Sequence, residues 1–173
     1  LGCIEAAGFP PGVFNLLHGD GRVMERLIDH PEVRAVSVVG STPVCRAVAT
    51  RSVGAGKRYQ AFGGAKNHLV VMPDAPIDLA VRNMITSCYG CAGQRCMAAS
   101  VIVAVGDEAY GTVTEQFIAA SREVRIADPL DPAVADESVL MGPVVSQQAK
   151  DFILEMIAAG VAEGATLALD GRD

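Results

Sequence analysis

A chain of 173 residues, half of them hydrophobic and a fifth charged, can bury a sizeable core and is too apolar to remain disordered. Its net charge of -6 comes without clusters of lysine and arginine or interleaved aromatics, which argues against a nucleic-acid-binding surface. No apolar run approaches the roughly 20 residues needed to span a bilayer, and no signal-like leader opens the sequence, so a soluble cytoplasmic protein is expected.

Leu1-Gly2-Cys3-Ile4-Glu5-Ala6-Ala7-Gly8 reads as the tail of a helix closed by glycine, without an initiator Met. After the breaker Pro10-Pro11-Gly12, the apolar run Val13 to His18 is short enough for a buried strand. A helix is expected from about Arg22 to Asp29, with Val23, Met24, Leu27 and Ile28 on one face. His18 and His30 fall at the ends of these elements, where solvated or capping roles fit better than catalysis. Arg34 to Val39 is β-branched and of strand length, giving the beginning of a βαβ rhythm.

Gly40-Ser41-Thr42-Pro43 follows that strand directly, and Val44 to about Val53 reads as a Pro-started helix. Such a helix offers free N–H groups and a positive dipole end to a phosphate, but Ser41 or Thr42 could equally cap it in the ordinary way. There is no G-x-G-x-x-G fingerprint. Lys57 to Phe62 and Leu69 to Met72 read as further strands, and the glycines at 63 and 64 between them mark either a domain crossing or a plain hinge.

Helical spacing of Ile77, Ala80, Val81, Met84, Ile85 and Cys88 predicts a helix that buries one face and leaves Cys88 as packing. The chain then enters Tyr89-Gly90-Cys91-Ala92-Gly93-Gln94-Arg95-Cys96-Met97-Ala98-Ala99-Ser100 before resuming as a strand at Val101 to Val105. A helix from about Glu108 to Arg122 should turn Tyr110, Val113, Phe117 and Ile118 inward. A Pro-rich loop from Pro129 to Pro143 follows. A helix from Ser146 to about Glu163, with Phe152, Ile153, Met156 and Ile157 as its face, precedes a short strand, Thr166 to Leu169. The sequence closes on what looks like a turn leading onward, so both ends look cut.

Five cysteines, at 3, 45, 88, 91 and 96, read as free thiols in a sequence without secretion signals. Cys88, Cys91 and Cys96 have no fourth ligand nearby, so no metal site is expected. Cys96 could be a small buried residue or a nucleophile. Gly90 and Gly93 leave amides accessible to an oxyanion, and Arg95 brings positive charge, but no neighbouring base decides between the two.

Gly8-Phe9-Pro10-Pro11-Gly12-Val13-Phe14-Asn15 resembles the G-x-P-x-G-V-x-N segment of the aldehyde dehydrogenase superfamily. Val38-Val39-Gly40-Ser41-Thr42 is similar to its F-x-G-S-T cofactor turn, with Val38 in place of Phe, and Gly93-Gln94-Arg95-Cys96 is similar to its G-Q-x-C nucleophile motif. The resemblance covers essentially the whole chain and implies an internal piece of a longer enzyme. The implied fold is α/β: residues 1–64 as the C-terminal part of a Rossmann-type NAD-binding domain, joined to residues 65–173 as the N-terminal part of an α/β catalytic domain.

Aligning Gly64-Ala65-Lys66 with the family's E-L-G-G-K motif puts Phe62 where hydrolytic members carry the glutamate that activates water. That departure resembles the methylmalonate semialdehyde dehydrogenase branch, in which the acyl group passes to coenzyme A and the position commonly carries Asn. Gly64-Ala65-Lys66-Asn67-His68 and the closing Glu163 to Arg172 also look like that branch. The resemblance implies Cys96 as catalytic thiol, with its own backbone N–H as an oxyanion donor. It further implies Gly40, Ser41, Val44 and Gly64 as NAD contacts, coenzyme A and a small semialdehyde as substrates, and a homo-oligomeric whole enzyme. Arg95, by its charge and its place beside the thiol, is expected to meet the substrate carboxylate. The alternatives are a hydrolytic aldehyde dehydrogenase with another base, and a truncated chain without catalysis.

Overall fold

Parallel strands need a crossover between them, and the described residues make two such crossovers, each through one α-helix. The computed structural model describes residues 2–134 and 141–172. They fall into two compact units, Leu1–Gly64 and Ala65–Asp173.

In the first unit, the short helix α1 (Gly2–Ala6) precedes helix α2 (Gly21–Asp29), strand β1 (Ala35–Val39), helix α3 (Thr42–Gly54) and strand β2 (Arg58–Phe62). β1 and β2 pair in parallel, with Ala35 opposite Arg58 and Val39 opposite Phe62. Asp20 caps α2 by accepting from the Arg22 amide at 2.9 Å, while the Arg22 guanidinium holds its carboxyl below the usual carboxylate range. At the other end, the Lys57 ammonium donates to His30 O at 2.6 Å and to Ile28 O, closing the carbonyl end of the helix with a cation. Lys57, expected to open β2, is occupied there instead. Ile28, Val48, Cys45 and Ser52 are buried.

The apolar run from Val13 to His18 is not a strand. It lies outside both sheets, and Val13, Phe14, Leu16 and Leu17 are each more than half exposed. Apolar composition supplies a face to bury, but a strand also requires a neighbouring strand's N–H and C=O groups, and no strand among the described residues pairs with this run.

The second unit is built from strand β3 (His68–Val71), helix α4 (Ile77–Tyr89), strand β4 (Val101–Ala104), and helices α5 (Asp107–Arg122) and α6 (Gln147–Ala162). β3 and β4 are parallel, with His68 opposite Val101. Val71, Val81, Met84 and Val113 form the core, joined by Leu69, Ile77, Ile85, Ile102 and Phe117. The expected face of α4 is thus the face that packs. Tyr110, expected inward on α5, is 63 % exposed, because Ala109, Val113 and Phe117 recur at four-residue spacing and turn the neighbouring stripe to the core. The face of α6 likewise stays open: Phe152, Ile153 and Met156 are exposed and none of its residues is buried. Thr166 to Leu169 is not a strand, having no ladder partner among the described residues. The expected loop from Pro129 to Pro143 lies partly outside the described residues. Among the described residues no helix is long and apolar enough to cross a membrane.

Met84 is fully buried at the centre of this core. Met84→Ala is expected to lower stability by about 2–5 kcal/mol, read as the shift of the urea unfolding midpoint at unchanged slope.

Candidate active site

The phosphate-binding reading and the thiol reading fall on different units, and each has its own geometry. In the first unit, α3 begins immediately after β1. Its N-cap residue Ser41 makes no side-chain capping bond, and Pro43 supplies no amide in the first turn. The Cys45 amide is satisfied by Ser41 O at 2.9 Å, whereas the Thr42 and Val44 amides meet no acceptor among the described residues. Thr42 turns its hydroxyl elsewhere, accepting from the Gly64 amide at 3.3 Å. Ordinary side-chain capping, one of the two readings open in the sequence, is therefore not what this helix start does.

The glycines around it have separable reasons. A Cβ on Gly63 would stand 3.0 Å from the Thr42 hydroxyl, a tight contact that the hydroxyl would have to relieve by a few tenths of an ångström. On Gly40 a Cβ would meet only Val44, at an ordinary 3.6 Å, so protein packing does not demand glycine there. Cys45 sits beneath, its buried thiol directed at Phe62 O at 3.1 Å and Gly40 O at 3.6 Å, and the Gly40 amide also donates to Phe62 O. An exposed hydroxyl, two unused amides and a helix dipole suit a bound anion such as a pyrophosphate. Gly40, Ser41 and Val44 gather at this helix start, with Gly64 tied to it through Thr42. Phe62 ends β2 and is 54 % exposed.

In the second unit, α4 delivers the thiol loop. Tyr89 closes the helix by stacking on Phe117, with ring centroids 5.8 Å apart and planes within 7°, and by donating to Ser121 Oγ at 3.0 Å. The chain then takes three successive left-handed residues: Cys91 (φ 55°), Ala92 (φ 53°) and Gly93 (φ 69°). Left-handed backbone costs roughly 1–2 kcal/mol at each non-glycine residue, so neighbouring structure must hold the turn.

That hold comes from four side chains. Arg95 donates to Thr86 O at 2.5 Å and Gly90 O at 3.2 Å, placing its cation on the carbonyl end of α4. Gln94 donates to Cys91 O at 3.0 Å and Pro143 O at 3.3 Å, and accepts from the Val145 amide at 2.8 Å. Ser87 Oγ accepts from the Ala99 amide at 3.0 Å. Asn67 donates to Cys96 O at 2.8 Å and Ala98 O at 2.9 Å.

Gly90 is buried against the Arg95 guanidinium, which a Cβ there would overlap, and its amide is already bonded to Thr86 O, so it is not free for an oxyanion. The Cys96 amide meets no acceptor among the described residues, and Cys96 itself is exposed. Arg95 lines an open cleft of about 290 Å³ with Asn83, Thr86, Ser87, Met97 and Ala98, and one terminal nitrogen of its guanidinium has no partner among the described residues. Cys88 is half-buried, and burial pushes its thiol pKa up, keeping it protonated and inert. Cys91 is exposed with no assigned role. Among the described residues, no three of His, Cys, Asp and Glu gather closely enough to hold a metal ion.

The second unit thus carries an exposed thiol on a clamped turn, and the first an uncapped helix start within its own parallel βαβ unit. The chain belongs to the aldehyde dehydrogenase family, whose model matches residues 1–173. It is 47 % identical over 168 residues to malonate-semialdehyde dehydrogenase 1 of Geobacillus thermodenitrificans, covering 97 % of this chain and 34 % of the relative. A malonate-semialdehyde dehydrogenase of Pseudomonas aeruginosa is 42 % identical, over 96 % of this chain and 32 % of its own.

Among solved structures, a Sinorhizobium meliloti protein assigned as a methylmalonate-semialdehyde dehydrogenase and complexed with NAD superposes with a TM-score of 0.89. It shares 42 % identity, over 98 % of this chain and 34 % of that one. Methylmalonate-semialdehyde dehydrogenase from Oceanimonas doudoroffii gives the same TM-score at 38 % identity and the same coverage. The α/β fold is thus that of aldehyde dehydrogenases, and the chain spans about a third of the length of the relatives it matches.

The positions missed from the sequence are Asn67, Gln94 and Ser87 as anchors of the loop. Gln94 stood inside the G-Q-x-C motif and could have been found there, whereas Ser87 carried no signal. With neutral iodoacetamide, Cys3, Cys91 and Cys96 are expected to be alkylated well before Cys45 and Cys88, as followed by peptide mass spectrometry. Gly93→Ala, forcing a Cβ onto left-handed backbone 3.1 Å from Cys88 O, should cost about 1–2 kcal/mol of stability in urea unfolding.

Proposed function

We propose that the whole protein carrying this chain oxidises malonate or methylmalonate semialdehyde to an acyl-CoA, through a thioester on Cys96. The observation that carries the reading is Cys96 itself, an exposed thiol with an unused backbone amide on a loop pinned by Asn67 and Gln94. The names of the relatives, given above, support the choice of aldehyde.

In this reading residues 1–64 are part of the nucleotide-binding domain and residues 65–173 part of the catalytic domain. Ser41 and the open amides of α3 hold the NAD pyrophosphate, Gly40 and Val44 line the dinucleotide, and Gly64 lies along the nicotinamide end. NAD, when bound, supplies the hydride acceptor that the oxidation requires. The Cys96 thiolate forms a C–S bond to the aldehyde carbon, and the carbonyl oxygen, now an oxyanion, is held by the Cys96 amide. The unpartnered terminal nitrogen of Arg95 receives the substrate carboxylate.

After oxidation the acyl group is a thioester on Cys96. A phenyl ring at position 62 cannot take a proton from water, so release falls to a second thiol. The thiolate of coenzyme A attacks the thioester carbon, and Cys96 leaves as thiolate.

The complete protein is expected to form NADH from malonate or methylmalonate semialdehyde over many turnovers only when coenzyme A is present, with Cys96→Ser inactive. Equal turnover without coenzyme A would favour a hydrolytic aldehyde dehydrogenase using another base. The isolated 173 residues are expected to form no NADH in the same assay.

A further inference from the structure

We infer that Asn67 is the positioning residue for the nucleophile, fixing the direction of the Cα–Cβ bond that carries the Cys96 sulfur. This rests on the reading of Cys96 as the acylated thiol.

A primary amide nitrogen carries two N–H donors, and Asn67 directs both into the thiol loop, one to Cys96 O at 2.8 Å and one to Ala98 O at 2.9 Å. Its own carbonyl accepts from the Ser100 and Val101 amides at 3.0 and 3.1 Å. One half-buried residue therefore bonds to four positions between Cys96 and Val101. Asn67 immediately precedes β3, whose first residue, His68, is the register partner of Val101 at the start of β4. The anchor is set at the edge of the sheet, directly against the paired ends of β3 and β4, and not in the loop that it holds.

The consequence for Cys96 follows from peptide planarity. A Cα position is defined by the two peptide planes that meet there, because each plane is rigid and only φ and ψ are soft. The plane before Cys96 is fixed at its oxygen, where Arg95 O accepts from the Ala98 amide at 3.0 Å. The plane after it is fixed at its own oxygen by Asn67. With both carbonyls held, φ and ψ of Cys96 are set, and so is the direction of its Cα–Cβ bond. The bonding also leaves the Cys96 amide, on the opposite edge of the first plane, unspent for an oxyanion. Removing the Asn67 donors frees the second plane while the first stays held. The sulfur then samples several directions, and the fraction of encounters with the aldehyde carbon in line for C–S bond formation falls.

The test uses the complete protein with Asn67→Asp, which keeps the side chain's shape and the backbone contacts to Ser100 and Val101 but replaces both donors by acceptors. Asn67→Ser, retaining one donor, serves as the conservative partner and carries the same measurements if the Asp variant does not fold. Single-turnover NADH formation from the semialdehyde should slow about 10–100-fold in Asn67→Asp and by less in Asn67→Ser. KM should stay within about threefold, and so should Cys96 alkylation by iodoacetamide, a small reagent that tolerates many approach angles. A single-turnover rate within twofold of the parent protein in both variants would overturn the assignment, as would alkylation slowing in parallel with acylation. If the parent protein itself shows no NADH burst that Cys96→Ser abolishes, the role of Cys96 fails and the assignment of Asn67 fails with it. A normal parental burst with unaffected Asn67 variants overturns the assignment of Asn67 alone.

Discussion

The left-handed turn from Cys91 to Gly93 is the constraint around which the second unit is arranged. Two of its three residues carry a Cβ, so the turn is uphill by roughly 2–4 kcal/mol before any compensation. Compensation comes from polar side chains whose geometry leaves little slack. The Arg95 cation lies on the carbonyl end of α4 and excludes any side chain at Gly90, while Gln94 ties the turn to the segment at Pro143 and Val145. A right-handed continuation of α4 would carry the chain past this point. The turn folds it back so that Cys96 emerges short of β4, within reach of Asn67.

Both units repeat one device, a parallel strand pair joined through a helix, but they use different ends of the helix. In the first, the helix start is functional in the proposed reading, and α3 leaves its opening amides unused. In the second, the helix end matters: α4 terminates against Phe117 and Ser121, and the reactive loop is the return from that end to the sheet. A helix start attracts anions and a helix end attracts cations, so the two units divide the requirements of a nucleotide and of a loop steadied by arginine.

The regular elements were legible in the sequence because their periodicity reflects burial directly. The face from Ile77 to Ile85 and the β-branched run at Ala35–Val39 are where they were expected. The runs at Val13 to His18 and Thr166 to Leu169 failed for a common reason: hydrophobicity reports a face that could be covered, not the partner that covers it, and pairing is a property of two segments. Tyr110 failed more narrowly, since one residue of rotation about α5 exchanges an inward ring for an outward one. At the candidate site, Cys96, Gly40 and Ser41 were singled out by the family resemblance of their motifs, residue type and local spacing alone leaving alternatives open. Asn67 could not be singled out, because its meaning depends on two carbonyls about thirty positions later in the chain. Only the parallel register of β3 and β4 brings them together.

Among the described residues, the supports of the thiol loop come from one stretch of chain, between Asn67 and Val145. In the proposed reading, the nucleophile and these supports form a cassette within a single unit. A graft that begins at Ala65 would therefore carry the loop and these supports across as one piece.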